Sequence, residues 1–279
     1  MTRKEWNGIW VTELASSDGA QVLLADHGAH VLSWTPATGA PALYLSSKSG
    51  YGGSAAIRGG VPIIFPQFGE RGTGKRHGFA RVANWEPLGI GIEGGKAVAR
   101  YRLMHQGEAT GWPHRADLVY GVAFSGQELQ LTLEVDNPSD ETWQFCAALH
   151  TYLQVAGIDR VALSGLQHVN YLDQVKAGAP GRQEEAVLSI HGEIDRIYGG
   201  VAAPLTLDDG ARRIVVDKQG FKDVVVWNPG AAKAAALSDM PADDYRSFLC
   251  VEAGAIMQPI VLPGGASWSG VQRFSILPR

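Results

Sequence analysis

Alternation of apolar and polar positions is the dominant signal in the chain. Leu129, Leu131, Leu133 and Val135 are interleaved with Gln130, Thr132 and Glu134. That period of two predicts a half-buried strand. Asn137-Pro138-Ser139-Asp140 follows as a turn, and residues 143–150 (WQFCAALH) read as the returning strand. Further short strands are predicted over residues 9–14, 21–25, 31–34, 97–104, 213–217, 224–227, 248–252 and 271–277, separated by Gly or Pro. Long helical periodicity is nearly absent, and residues 241–245 read as one short helical turn. The pattern predicts an all-β fold, a large antiparallel β-sandwich. No fixed-period repeat or polar linker divides the chain, so one domain over residues 1–279 is expected. The glycine-rich pieces at 49–54 and 176–181 read as loops within it.

Composition sharpens this picture. The 35 glycines and 14 prolines in 279 residues fit many tight turns between short strands. Net charge is −4, so no global basic field exists to attract nucleic acid or an anionic membrane. Any anion recognition must be local. Two cysteines, Cys146 and Cys250, lie in apolar stretches and make no disulfide framework; buried reduced thiols are expected. The start of the chain, MTRKEWNGIW, has no apolar signal core, and no apolar run is long enough to span a bilayer. A cytoplasmic setting is the expectation.

Residues 57–85 (IRGGVPIIFPQFGERGTGKRHGFARVANW) are the most unusual stretch. Gly69 to Lys75 imitates part of a nucleotide-binding P-loop. Arg76 stands where the magnesium-holding Ser or Thr belongs, and no amphipathic helix follows. A nucleotide-binding P-loop is therefore not expected. Arg58 and Arg81 sit among apolar and glycine residues, where an unpaired charge is costly. Each needs an anion, which can be a bound phosphate or carboxylate or an internal acid. His77 either supports such an anion site or fills a turn. His150 closes an apolar strand, as a structural or a chemical group. Glu252 is a carboxylate inside the apolar run LCVEAG, expensive unless paired or used with a tuned pKa. Asp195 reads by itself as a loop acid beside Arg196. Trp227 ends an apolar strand, where it can stack on a sugar or cap the core. The eight histidines include no HExxH, and there is no CxxC or Gly-x-Ser-x-Gly. Resident metal and covalent serine chemistry find no motif.

Taken in order, seven pieces resemble the aldose 1-epimerase superfamily, and within it the hexose-6-phosphate mutarotase (glucose-6-phosphate 1-epimerase) branch. They are RGGVPIIFPQFG at 58–69, HGFAR at 77–81, ALHTYL at 148–153, YLD at 171–173, GEIDRIY at 192–198, VVVWNP at 224–229 and CVEAG at 250–254. The resemblance implies a galactose-mutarotase-like supersandwich with the sugar in a cleft on one sheet, and no metal or organic cofactor. It implies His150 as general acid, Glu252 as general base and Asp195 as a ligand of sugar hydroxyls. Arg58, His77 and Arg81 would hold the 6-phosphate. The implied partner is a small sugar phosphate, with no nucleic acid or membrane, and a monomer is expected. A mutarotase of unphosphorylated aldoses and a non-catalytic carbohydrate-binding protein are the competing expectations. The loop at 69–76 has no assigned role, although Lys75 or Arg76 can reach a phosphate held nearby.

Overall fold

The computed structural model describes residues 1–37, 39–107 and 111–277. Among them are twenty-one strands and one α-helix, Gly230–Ala236. The strands form sheets of four, eight and nine members, and neighbouring strands pair antiparallel. The four-stranded sheet is a meander of Thr2–Trp6, Ile9–Ala15, Gln21–Ala25 and His30–Thr35. Every strand anticipated from alternation is present; most start within a residue of the expected position, the one expected at 271–277 starts four residues earlier as Ser267–Leu277, and residues 248–252 extend into the long strand Phe248–Leu262. The expected short helical turn is the 3₁₀ segment Asp244–Ser247. Residues 69–76 make turns and bends, as expected for a loop that only imitates a phosphate-binding motif.

The large core lies between the two bigger sheets. Leu129, Leu131, Leu133 and Val135 point into it from the nine-stranded sheet, and Leu249, Val251, Ala253 and Ala255 from the eight-stranded sheet. Removing these side chains from water is the main force holding the layers together. The eight-stranded sheet buries its opposite face as well, in a cluster containing Ile64, Phe68, Cys146, Ala148, Ile197, Val225 and Ile256. Its central strands therefore read as nearly continuous apolar runs such as FCAAL and VVVW, because neither face meets bulk water. Glu252 falls in one of these runs.

The unusual segment near residue 60 is tied to this sheet. It runs beside the chain at 146–152, whose alternate N–H groups donate to it: Cys146 to the Pro66 carbonyl (2.8 Å), His150 to that of Pro62 (3.0 Å) and Tyr152 to that of Gly60 (3.0 Å). Between them Ile63–Ile64 pairs with Leu149 and Ala148. The chain then turns back, with both His77 (φ 63°) and Gly78 (φ 71°) in the left-handed region. At residue 78 a Cβ would collide with the Phe65 carbonyl, so glycine is required there. This turn carries His77 and the 3₁₀ segment Ala80–Val82, with Arg81, to the sheet.

Several features differ from the sequence reading, among them the unanticipated helix Gly230–Ala236 and edge strand Glu86–Glu93. Residues 176–181, expected as loop, include the end of the 3₁₀ segment Gln174–Lys176 and the start of the strand Ala179–Arg182, an edge strand too short to show a period. Ala116–Ser125 is a full strand with strict inside–outside alternation. Between Asp117 and Ser125 its outward positions hold Val119, Gly121 and Ala123, so the polar half of the pattern is missing from its middle.

Leu131 is fully buried between the sheets. Leu131→Ala should lower the unfolding free energy by about 2–5 kcal/mol, read as a drop in the denaturant midpoint at unchanged slope. A change below about 1 kcal/mol would show that the inter-sheet core does not carry the fold.

Candidate active site

Strand alternation decides which side chains meet. Glu252 is opposite Val225, Cys250 is opposite Trp227 and Tyr152, and Trp227 is opposite Asp195. These positions share the face of the eight-stranded sheet that turns away from the large core. His150 follows the strand Trp143–Leu149 and joins the same face. The His77 turn and Arg58 close over it. All seven residues singled out from the sequence are thus brought to one region. None of them lies on a distant surface.

At the centre, His150 Nδ1 lies 3.3 Å from Glu252 Oε1. Glu252 is 1% exposed and His150 9%. The distance allows charge attraction, but the pair is not aligned as a hydrogen bond, and His150 Nδ1 and Glu252 Oε2 have no hydrogen-bond partner. The imidazole stacks on the Tyr152 ring (centroids 4.8 Å apart, 10° between planes). Trp227 meets it edge-on at 5.8 Å and His77 at 5.9 Å. Three aromatic rings therefore fix the imidazole plane.

Burial dominates the electrostatics. It raises Glu252 well above the ordinary carboxylate range, and the charge of Asp195 adds to the rise. It lowers His150 well below the ordinary imidazole range, helped by His77, Arg58 and Arg81. His77 is pushed down to about 3 by burial and then by Arg81, Arg76 and Arg58. Its Nδ1 accepts the Gly69 N–H at 3.2 Å. His77 is thus a neutral imidazole and contributes no positive charge to an anion site. Asp195, only partly buried, is raised to about 6 by desolvation, against the pull of Lys233 and Arg76.

The two arginines differ. Arg58 donates from Nε to Asp239 Oδ2 (3.1 Å) and from Nη1 to the Tyr152 hydroxyl (3.1 Å). Its charge is already matched by an internal acid. Arg81 donates from Nη2 to the Arg76 carbonyl (2.8 Å), its Nε is buried without a partner, and it has no ion pair among the described residues. Burial and the neighbouring cations lower it to about 10, against a rise from Tyr152. Arg81 is the guanidinium in want of an anion. The loop above it is pinned by Gln67, whose amide bonds the backbone of Gly69 and Gly74. Arg76 and Lys75 on that loop are exposed.

Sequence reasoning missed Tyr152, Asp239 and Cys250 as parts of the site. Tyr152 lies two residues after His150 within ALHTYL, and Cys250 two residues before Glu252, so both were legible from strand alternation. Asp239 had no local signal, since it meets Arg58 only through the fold. His150, Cys250 and Glu252 form a buried trio whose ligating atoms lie within 4.8 Å of one another.

A model of the aldose 1-epimerase family matches residues 11–275, nearly the whole chain. The chain belongs to the aldose 1-epimerase family. It is an isomerase of that type. This epimerase is 33% identical over 263 residues to a protein of Cenchrus ciliaris, covering 90% of this chain and 80% of the relative. It is 35% identical over 232 residues to one of Escherichia coli K12, covering 81% and 76%. Both carry the provisional name glucose-6-phosphate 1-epimerase. A crystal structure from Salmonella typhimurium, provisionally named a mutarotase, superposes with a TM-score of 0.90 at 27% identity, covering 99% of this chain and 93% of the other. The epimerase has the galactose-mutarotase-like sandwich of these neighbours. Among its described residues no helix is long and apolar enough to cross a membrane.

The raised Asp195 carboxyl has a consequence for stability. Between about pH 4 and pH 6 the folded chain retains a proton that an unfolded Asp, at 3.8, has released. Stability from this group is therefore greatest below the unfolded value and is lost as pH rises through about 6. Asp195→Asn should gain stability relative to wild type between about pH 4 and pH 7, measured by denaturant unfolding at both ends. A carboxyl NMR midpoint for Asp195 at its ordinary value would contradict the assignment.

Proposed function

We propose that this epimerase interconverts the α and β anomers of a hexose 6-phosphate, with glucose 6-phosphate the first substrate to test. The observation that carries the reading is the joint placement of a buried His150–Glu252 pair and the anion-seeking Arg81 on one face. The provisional names of the relatives point the same way.

Anomer exchange needs two proton transfers and no covalent intermediate. The C1 hydroxyl loses a proton while the ring oxygen gains one and the C1–O5 bond breaks. The open aldehyde turns about C1–C2, and closure on the other face reverses both transfers. One base and one acid suffice. Glu252 takes the hydroxyl proton and His150 supplies the ring oxygen. Asp195 accepts from sugar hydroxyls, and Trp227 offers an aromatic face to the ring.

Proton bookkeeping favours a phosphorylated substrate. Burial favours a protonated Glu252 and a neutral His150. That pair carries the same single proton as carboxylate plus imidazolium, the reactive arrangement. After burial, the positive charges of nearby groups, Arg58 and Arg81 among them, are what hold His150 down. A phosphate dianion beside those arginines cancels part of that field and favours the imidazolium. The 6-phosphate thus helps to set the acid as well as to bind. One observation favours free aldoses instead. Arg58 is already paired with Asp239, which weakens its pull on a phosphate.

Glu252→Gln and His150→Asn should each lower turnover by at least about 10²-fold while leaving the fold intact. Arg81→Ala should raise KM for glucose 6-phosphate by about ten- to a hundredfold, the worth of one charge-assisted contact, and change KM for a free sugar little. Both are read by NMR saturation transfer on glucose 6-phosphate and free galactose side by side. Faster exchange on galactose would overturn the phosphate reading, and near-wild-type turnover would remove Glu252 or His150 from the mechanism.

A further inference from the structure

We propose that His150, Cys250 and Glu252 form a binding site for a thiophilic divalent cation, of which Zn²⁺ is the type, and that its occupancy shuts off proton transfer at the site. The trio offers one imidazole nitrogen, one thiol sulfur and one carboxylate oxygen, all buried, with ligating atoms within 4.8 Å of one another. A tetrahedral zinc ion at its usual bond lengths sets its ligand atoms roughly 3.3–3.6 Å apart. His150 Nδ1 and Glu252 Oε1 already stand at 3.3 Å. The sulfur, no more than 4.8 Å from the other ligand atoms, has to close in for a tetrahedral ion. Cys250 and Glu252 are i and i+2 on one strand, so their side chains leave the same face, and His150 comes from the segment paired beside that strand.

A second observation points to a ligand. His150 Nδ1 and Glu252 Oε2 are polar atoms in a buried setting without any hydrogen-bond partner. Uncompensated buried polar atoms are rare and usually mark an unseen partner or a chemical role. A divalent cation held by His150 Nδ1 and by both oxygens of the Glu252 carboxylate would satisfy both atoms, and one thiolate and one carboxylate would balance its charge, leaving a neutral buried site. The ligands come from two segments about a hundred residues apart, which is why no metal-binding spacing shows in the sequence. Cation binding stands on this geometry alone. Its inhibitory effect rests on the epimerase reading above, because the metal would occupy the nitrogen and oxygen that are to move protons.

The test separates the two. Full-length protein, reduced and free of chelator, is titrated with Zn²⁺ by calorimetry and with Co²⁺ by absorbance. We expect one Zn²⁺ per chain, and a near-ultraviolet thiolate-to-cobalt charge-transfer band. Cys250→Ala should abolish the band and weaken Zn²⁺ binding at least about tenfold, whereas Cys146→Ala should leave both intact. If the alanine variant does not fold, Cys250→Ser, which keeps the volume, takes its place. Wild-type anomer exchange should fall on adding Zn²⁺ and return with chelator. Absence of stoichiometric Zn²⁺, or a cobalt band that survives loss of Cys250, overturns the proposal. Should no sugar exchange at all, the function reading fails while the metal titration still decides this one.

Discussion

The site depends on a carboxylate placed where water cannot reach it. Glu252 is 1% exposed in the middle of a sheet covered on both faces. An isolated charge there would cost several kcal/mol, so the protein holds the group protonated or must supply a positive partner. Among the described residues the only group within ion-pair distance is His150, itself too buried to hold a proton easily. Neither member is comfortable charged, and neither is far from the other. Burial favours the neutral arrangement of the pair, with the shared proton on Glu252. Moving that proton to His150 makes the carboxylate and imidazolium that a reaction taking one proton and giving another requires.

The sandwich builds this arrangement by alternation. In Phe248–Leu262 the odd residues Leu249, Val251, Ala253 and Ala255 enter the large core, while Cys250 and Glu252 face outward. A slip of one residue in register would put the carboxylate into the inter-sheet core and the leucine into the cleft. The hydrophobic packing that stabilises the fold therefore also aims the chemistry. The segment near residue 60 adds the second requirement. Its backbone bonds to Cys146, His150 and Tyr152 fix it to the same strand edge, and its left-handed turn at His77 and Gly78 returns Arg81 to the site.

Much of this was legible in the sequence. The alternating strands around 129–135 and 271–277 announced the sandwich, and the isolated charges Glu252, Arg58 and Arg81 announced the site because apolar surroundings make a charge conspicuous. What alternation did not reveal were strands whose central outward positions are apolar or glycine, such as Ala116–Ser125, and edge strands exposed almost throughout, such as Glu86–Glu93. The partner of Arg58 was hidden for a different reason. Asp239 lies 181 residues away in the chain, and only the closed fold brings the two together.

The unequal state of the two arginines bears on how the site would treat an anion. A guanidinium already paired with Asp239 and the Tyr152 hydroxyl is fixed in place, and moving it would break two contacts. That rigidity passes through Tyr152 to the imidazole stacked on it. Arg81, with a buried unsatisfied Nε, gains most from a new anion and loses least in taking one. An arriving phosphate would therefore be captured chiefly by Arg81, while Arg58 keeps the Tyr152 ring, and with it His150, in register with Glu252. Binding and orientation would then fall to different arginines, although a search for isolated charges in the sequence treats them alike.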